Sequence, residues 1–215
     1  MDNQSITALL DRSDDLNIEI LHRLENRQAF PEPRYEAGLT ACGMALEHAL
    51  SLRMLLRCNC YTSAFSLIRL QYEALTRAVW LMYAATDVQV ERLTAPLSLQ
   101  TEASAKNLPM FSKMLEEVAQ KAPPQASRML SHFKDVNWHA MNSYVHSGIH
   151  PLRRHAEGYP PQLIQSVIRS SNGLNMMILM AGKILTGDAE CHGVIRAMQE
   201  EYVHILPDLV ERPES

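Results

Sequence analysis

Residues 64–84 read AFSLIRLQYEALTRAVWLMYA. Phe65, Leu67, Ile68, Leu70, Leu75, Val79, Trp80, Leu81 and Met82 leave this run almost without a polar side. A helix that is apolar nearly all round is one touched by several neighbours. The spacing therefore predicts a central helix from about Ser63 to Ala85, with the rest of the chain packed around it.

The flanks supply those neighbours. Ile6, Leu9, Leu10, Leu16, Ile20, Leu21 and Leu24 recur at helical spacing between Ser5 and Arg27. Phe30-Pro31-Glu32-Pro33 ends that helix. A second runs from about Tyr35 to Arg57 and is joined to the central one by a tight connection at Asn59–Thr62. Asp87 is expected to cap a short helix that stops before Pro96. Residues 97–108 are weakly patterned, and Pro109 opens an amphipathic segment to about Lys121. After Pro123-Pro124 comes a helix from Gln125 to Val145, and Pro160-Pro161 opens a long one to Leu185, where Gly187 suits a helix end and Asp188 the next N-cap. A last helix ends at Pro207. With no strand alternation and no repeat, the expected fold is an all-α bundle of about six or seven helices, one domain over 1–207 with a frayed tail at 208–215.

Composition narrows the function classes. The chain has 215 residues, 47% hydrophobic and 20% charged, with a formal net charge of -4. That balance speaks against a surface coated in basic groups for duplex nucleic acid. Cys42, Cys58, Cys60 and Cys191 have no zinc-ribbon or C-x-x-C spacing, and the N-terminus reads as polar and acidic rather than as a signal peptide. Cytoplasmic localisation and no membrane association are the expectations. No G-x-G-x-x-G, P-loop or G-x-S-x-G pattern is present, so no cofactor is expected.

Chemistry is carried by two places. Within the central helix, Arg69, Glu73 and Arg77 stand four apart and share a face, where Glu73 can pair with either arginine. Guanidinium groups flanking a carboxylate suit phosphate or carboxylate recognition, and they equally suit a plain ion-pair ladder. In the second place, MNSYVHSGIHPLRRHAEGYPP (141–161), histidines crowd a polar corner. Asn142 and His146 are one turn apart at the expected helix end, and Gly148 and Pro151 are expected to stop the helix there. His139, His146 and His150 offer imidazoles for a metal site, with Glu73 as an oxygen ligand. Each histidine serves equally well as a proton carrier or as a capping group.

AFSLIRLQYEALTRAVWLMYA and NSYVHSGIHPL together resemble uncharacterised bacterial families related to the HEPN superfamily of helical, often dimeric proteins. The resemblance rests on R-x-x-x-E at Arg69 and Glu73 and on N-x-x-x-H at Asn142 and His146. It implies a HEPN-like homodimer whose active members are ribonucleases, often toxins or defence proteins with an antitoxin partner. In that chemistry an arginine stabilises the phosphate and a histidine handles the proton, paired across the dimer. Here Asn142 stands where the arginine four before His146 would be, so Arg69 or Arg77 is expected to supply it from the central helix. Three functions stay open: an RNA- or nucleotide-binding or ribonuclease-type protein using His146, Arg69, Glu73, Arg77 and Asn142; a non-catalytic helical dimer or partner-binding module; and a metal-dependent enzyme using His139, His146 and His150.

Overall fold

A computed structural model describes residues 3–188 and 191–208. The order is α1 (Asn3–Leu24), α2 (Pro33–Arg57), α3 (Tyr61–Tyr83), α4 (Asp87–Thr94), α5 (Leu99–Ala105), α6 (Phe111–Lys121), α7 (Pro124–Val145), α8 (Ile149–Glu157), α9 (Pro161–Leu185) and α10 (Cys191–Glu201), then a 3-10 turn at Val203–Ile205. No strand occurs among the described residues. The all-α expectation is met, with more helices than the six or seven read from periodicity.

Two short helices make up most of the difference. α5 begins at Ser98, whose hydroxyl accepts from the Thr101 amide while the Thr101 hydroxyl accepts from the Ser98 amide. This is a capping box built with threonine in place of the usual Glu or Gln. α8 runs through the corner where Gly148 and Pro151 are expected to stop the chain. Gly148 is instead its N-cap and Pro151 lies in its first turn, where an amide N–H has no intrahelical partner to lose. At α4 the N-cap is Thr86, paired with Gln89 in a full capping box. Asp87, expected as the cap, accepts from Arg34 at 2.6 Å instead.

α3 is the centre of the bundle, with α2, α6, α7 and α9 all packed on it. Phe65, Tyr72, Leu75 and Trp80 are fully enclosed, so a helix apolar all round has neighbours all round. α2 and α3 form a hairpin turned by Asn59 in the left-handed region, φ 60°, which asparagine tolerates better than most residues. α9, packed on α3, buries Ile164, Ile168, Leu174 and Ile178. Between them a small polar layer is joined through Gln71: its Nε2 donates to Asn175 Oδ1 at 2.9 Å and to the Ser171 carbonyl at 3.0 Å, and Ser171 Oγ donates to its Oε1 at 2.7 Å.

Charge also ties α2 to α1. Arg53, enclosed in the core, donates from Nε to Asp14 at 2.6 Å, and Arg57 Nη2 donates to the same carboxylate at 2.7 Å. Asp14 has a pKa below the usual aspartate value: burial opposes this as the largest single effect, and the bonds and charges of Arg57 and Arg53 together outweigh it.

After α9 the backbone turns at Gly187, φ 70°, in the role expected of it. Asp188 accepts from Lys183 at 2.5 Å, and the two residues that follow, like the tail beyond Asp208, lie outside the described residues. No described helix is long and apolar enough to cross a membrane.

Candidate functional site

The chain reaches the candidate site through the end of α7. Its helix stops at Val145, His146 takes the cap position, and its amide donates to the Asn142 carbonyl at 3.1 Å. Ser147 then turns left-handed, φ 53°, and the Gly148 amide returns to the Ser143 carbonyl at 2.7 Å. This is a Schellman-type closure with serine where glycine is usual. Gly148 fits because a Cβ there would lie 2.7 Å from Ser143 Oγ. That hydroxyl is already in use: it accepts from the His150 amide at 3.0 Å and so holds the start of α8.

The closure brings His146 back toward α3. Arg69 is the meeting point, with three of its contacts made by side chains. Nε donates to Glu73 Oε1 at 2.7 Å within α3. Nη1 donates to Asn142 Oδ1 at 2.7 Å and lies 3.2 Å from His146 Nε2. An arginine can only donate, so in this geometry Nε2 is the acceptor and the imidazole proton sits on Nδ1. The guanidinium carbon stands 5.1 Å from the centre of the Trp138 ring, which stacks at 9° and 5.3 Å on Phe111. Glu73, Asn142 and Trp138 thus fix the plane of the guanidinium. Nη2 is left without a hydrogen-bond partner among the described residues.

Four of the five expected site residues come together: Arg69, Glu73, Asn142 and His146. Arg77 does not. It is exposed two turns along α3 and makes no ion pair among the described residues, because Glu73 is turned toward Arg69. Trp138, four before Asn142 on the same face of α7, is a site residue that sequence reasoning passed over, although its spacing was a readable signal.

The three histidines of the metal hypothesis are separated by the corner. His139 is exposed on α7, His146 caps α7, and His150 sits in the first turn of α8. Among the described residues no three His, Cys, Asp or Glu side chains form a group that could hold a metal ion. The His150 ring instead lies 6.4 Å from that of Tyr144. Arg153 and Arg154 belong to α8, where Arg153 pairs with Glu157.

Beneath the site the packing is aromatic. Phe65 lies 5.1 Å from Tyr144 and 5.3 Å from Tyr159, and Tyr159 OH is 2.8 Å from Thr62 Oγ1. Burial, with the nearby Tyr159, pushes the Tyr144 phenol up to about 12. Burial also raises the Tyr72 phenol, which donates to the Leu130 carbonyl at 2.8 Å. Neither tyrosine is a base near neutral pH.

A guanidinium with Nη2 free can bind a phosphate diester, and an imidazole beside it can take a proton from a neighbouring hydroxyl. Residues 42–208 match DUF6988, a family described as of unknown function. No curated protein and no solved structure matches the chain.

Proposed function

Because the chain belongs to DUF6988, a family of unknown function, we propose its role from the site itself: a HEPN-like site that binds RNA and cleaves it in the manner of a ribonuclease. The observation that carries the reading is one nitrogen, Arg69 Nη1, placed 2.7 Å from Asn142 Oδ1 and 3.2 Å from His146 Nε2. A phosphate diester takes its charge-assisted bonds from Nη2, the one guanidinium nitrogen left without a partner among the described residues. As the Nη1–H turns from His146 to the bound phosphate, the Nε2 lone pair is released and accepts the proton of the adjacent 2′-hydroxyl, and the 2′-oxygen bonds to phosphorus as the P–O5′ bond breaks. The proton then passes to the departing 5′-oxygen, leaving a 2′,3′-cyclic phosphate and a 5′-hydroxyl. Arg69 meets the charge that grows on the non-bridging oxygens, where a preorganised donor is most effective.

Arginine and histidine come from one chain in this arrangement, through the α3–α7 crossing. Glu73 and Asn142 are positioning residues, since each acts by fixing Arg69. The test is cleavage of single-stranded RNA by the wild type, His146→Ala and Arg69→Ala, with circular dichroism as the control for folding. Loss of about 10²–10⁴-fold in rate for His146→Ala is the expected result. A folded wild type that neither binds nor cleaves RNA would overturn the reading.

A further inference from the structure

The outer face of α2 carries a seam whose apolar side chains no described residue covers. Gly43, Glu47, Leu50, Met54 and Arg57 follow one another at steps of four and three, the repeat of a helix that packs lengthwise on another helix. Met54 is 59% and Leu50 42% exposed, and Met44 beside them 52%. Beside the seam, α1 diverges from α2 and leaves a cleft of about 550 Å³ lined by Leu21, Glu25, Leu39, Gly43 and Leu46 among others. Gly43 forms part of its floor, and a Cβ there would meet nothing within 4 Å. Glycine in a helix interior is less favourable than alanine. An open floor at that position gains from glycine when another helix comes close.

We infer that this seam is the contact between two copies of the chain, packed with their α2 helices antiparallel about a two-fold axis between Glu47 and Leu50. In that register Met54 of each copy lies over Gly43 of the other, and Leu50 lies along the stem of the other's Glu47. Arg57 then reaches the other copy's acidic end, where Glu25 and Glu36 stand. Its bonds to Asp11 and Asp14 both leave from Nη2, so Nε and Nη1 remain for an acid across the interface. The ridge and the cleft sit on the same surface, offset along one helix, which is what a self-complementary two-fold contact requires. This inference is independent of the proposed chemistry, and α3 and α7, which carry Arg69 and His146, contribute nothing to the seam.

Sedimentation across a wide concentration range tests it. The wild type is expected to form a dimer of its 24.3 kDa chain. Met54→Glu is expected to raise the dissociation constant by about 100-fold or more while the helical spectrum stays unchanged. Leu50→Lys serves if that variant folds poorly, and Val136→Glu, on an exposed apolar residue of α7, is expected to leave the dimer intact. A chain with Gly43→Cys and Met54→Cys, in a background of Cys58→Ser and Cys60→Ser, tests the register. Eleven residues along a helix set those thiols about 16 Å apart within one chain, so only a second copy can complete the disulfide. Covalent dimer on mild oxidation, absent from the background chain, is expected. A wild type that stays monomeric, a dimer untouched by folded Met54→Glu and Leu50→Lys, or thiols that do not cross-link would each overturn the inference.

Discussion

Arg69 Nη1 lies 3.2 Å from His146 Nε2, across 77 residues of sequence and between two different helices. Hydrogen bonds to Glu73 and Asn142 and the ring of Trp138 hold that arginine in place, so the approach is set by the guanidinium rather than by the imidazole of the exposed His146. Arg69→Lys keeps the charge and loses the fork. A lysine ammonium cannot span Glu73, Asn142 and a phosphate together. RNA affinity in this variant should fall by about tenfold or more, and at low salt it should fall less than in Arg69→Ala. Filter binding at two ionic strengths checks this, and equal affinity for wild type and Arg69→Lys would contradict it.

Trp138 is expected to act through Arg69 and not on RNA directly, because Phe111 stacks on it and the guanidinium stands over it. Trp138→Phe keeps an aromatic face and should retain most of the rate. Trp138→Ala should lower the rate with little change in the pH profile. A pH profile displaced in Trp138→Ala would mean that the tryptophan bears on the proton carrier itself.

Ser147 is a second place where the corner can be tested. A non-glycine residue in the left-handed region costs about 1 kcal/mol or more, and this one sits where helices usually end in glycine. Ser147→Gly should therefore stabilise the protein by up to about 1 kcal/mol. Gly148→Ala should destabilise it by a similar amount, as the new methyl displaces Ser143 Oγ from the start of α8. Urea unfolding of both variants decides it, and opposite signs from these would show that the corner is closed in another way.

Much of this architecture is legible in residue spacing. The long helices follow from apolar periodicity, and the bounds of α9 follow from Pro160-Pro161 and Gly187. α8 was not legible, because Pro151 reads as a stop unless it is known to fall in a first turn. Likewise, Arg69, Glu73 and Arg77 share a face by arithmetic alone. Which arginine meets α7 depends on how the two helices cross, and side-chain packing between Tyr72, Phe111 and Phe133 sets that crossing. The spacing of Asn142 and His146 put them on one side of a helix end, while Ser147 and Gly148 decided where that end points.

The Arg53–Asp14 pair predicts an asymmetry in stability. Asp14→Asn leaves an enclosed guanidinium without its countercharge. With Asp14 partly exposed, the cost should be about 2–3 kcal/mol, toward the low end for breaking such pairs. Arg53→Met should cost less than about 1 kcal/mol, because Arg57 still holds Asp14 and the site becomes apolar. The same pair predicts acid sensitivity. Since the folded pKa of Asp14 lies below its unfolded value, its contribution is complete above about pH 4 and is lost as pH falls through the folded value. Melts between neutral and acid pH should show a smaller loss in Asp14→Asn than in the wild type. A parallel loss in both proteins would refute the assignment.

The most direct measurement is the rate of cleavage of single-stranded RNA by purified wild type beside His146→Ala, with product ends identified. The wild type is expected to give 2′,3′-cyclic phosphate and 5′-hydroxyl products, and the variant a rate lower by about 10²–10⁴-fold. Equal cleavage by both proteins, or none by a wild type that is folded and free of bound RNA, would contradict it.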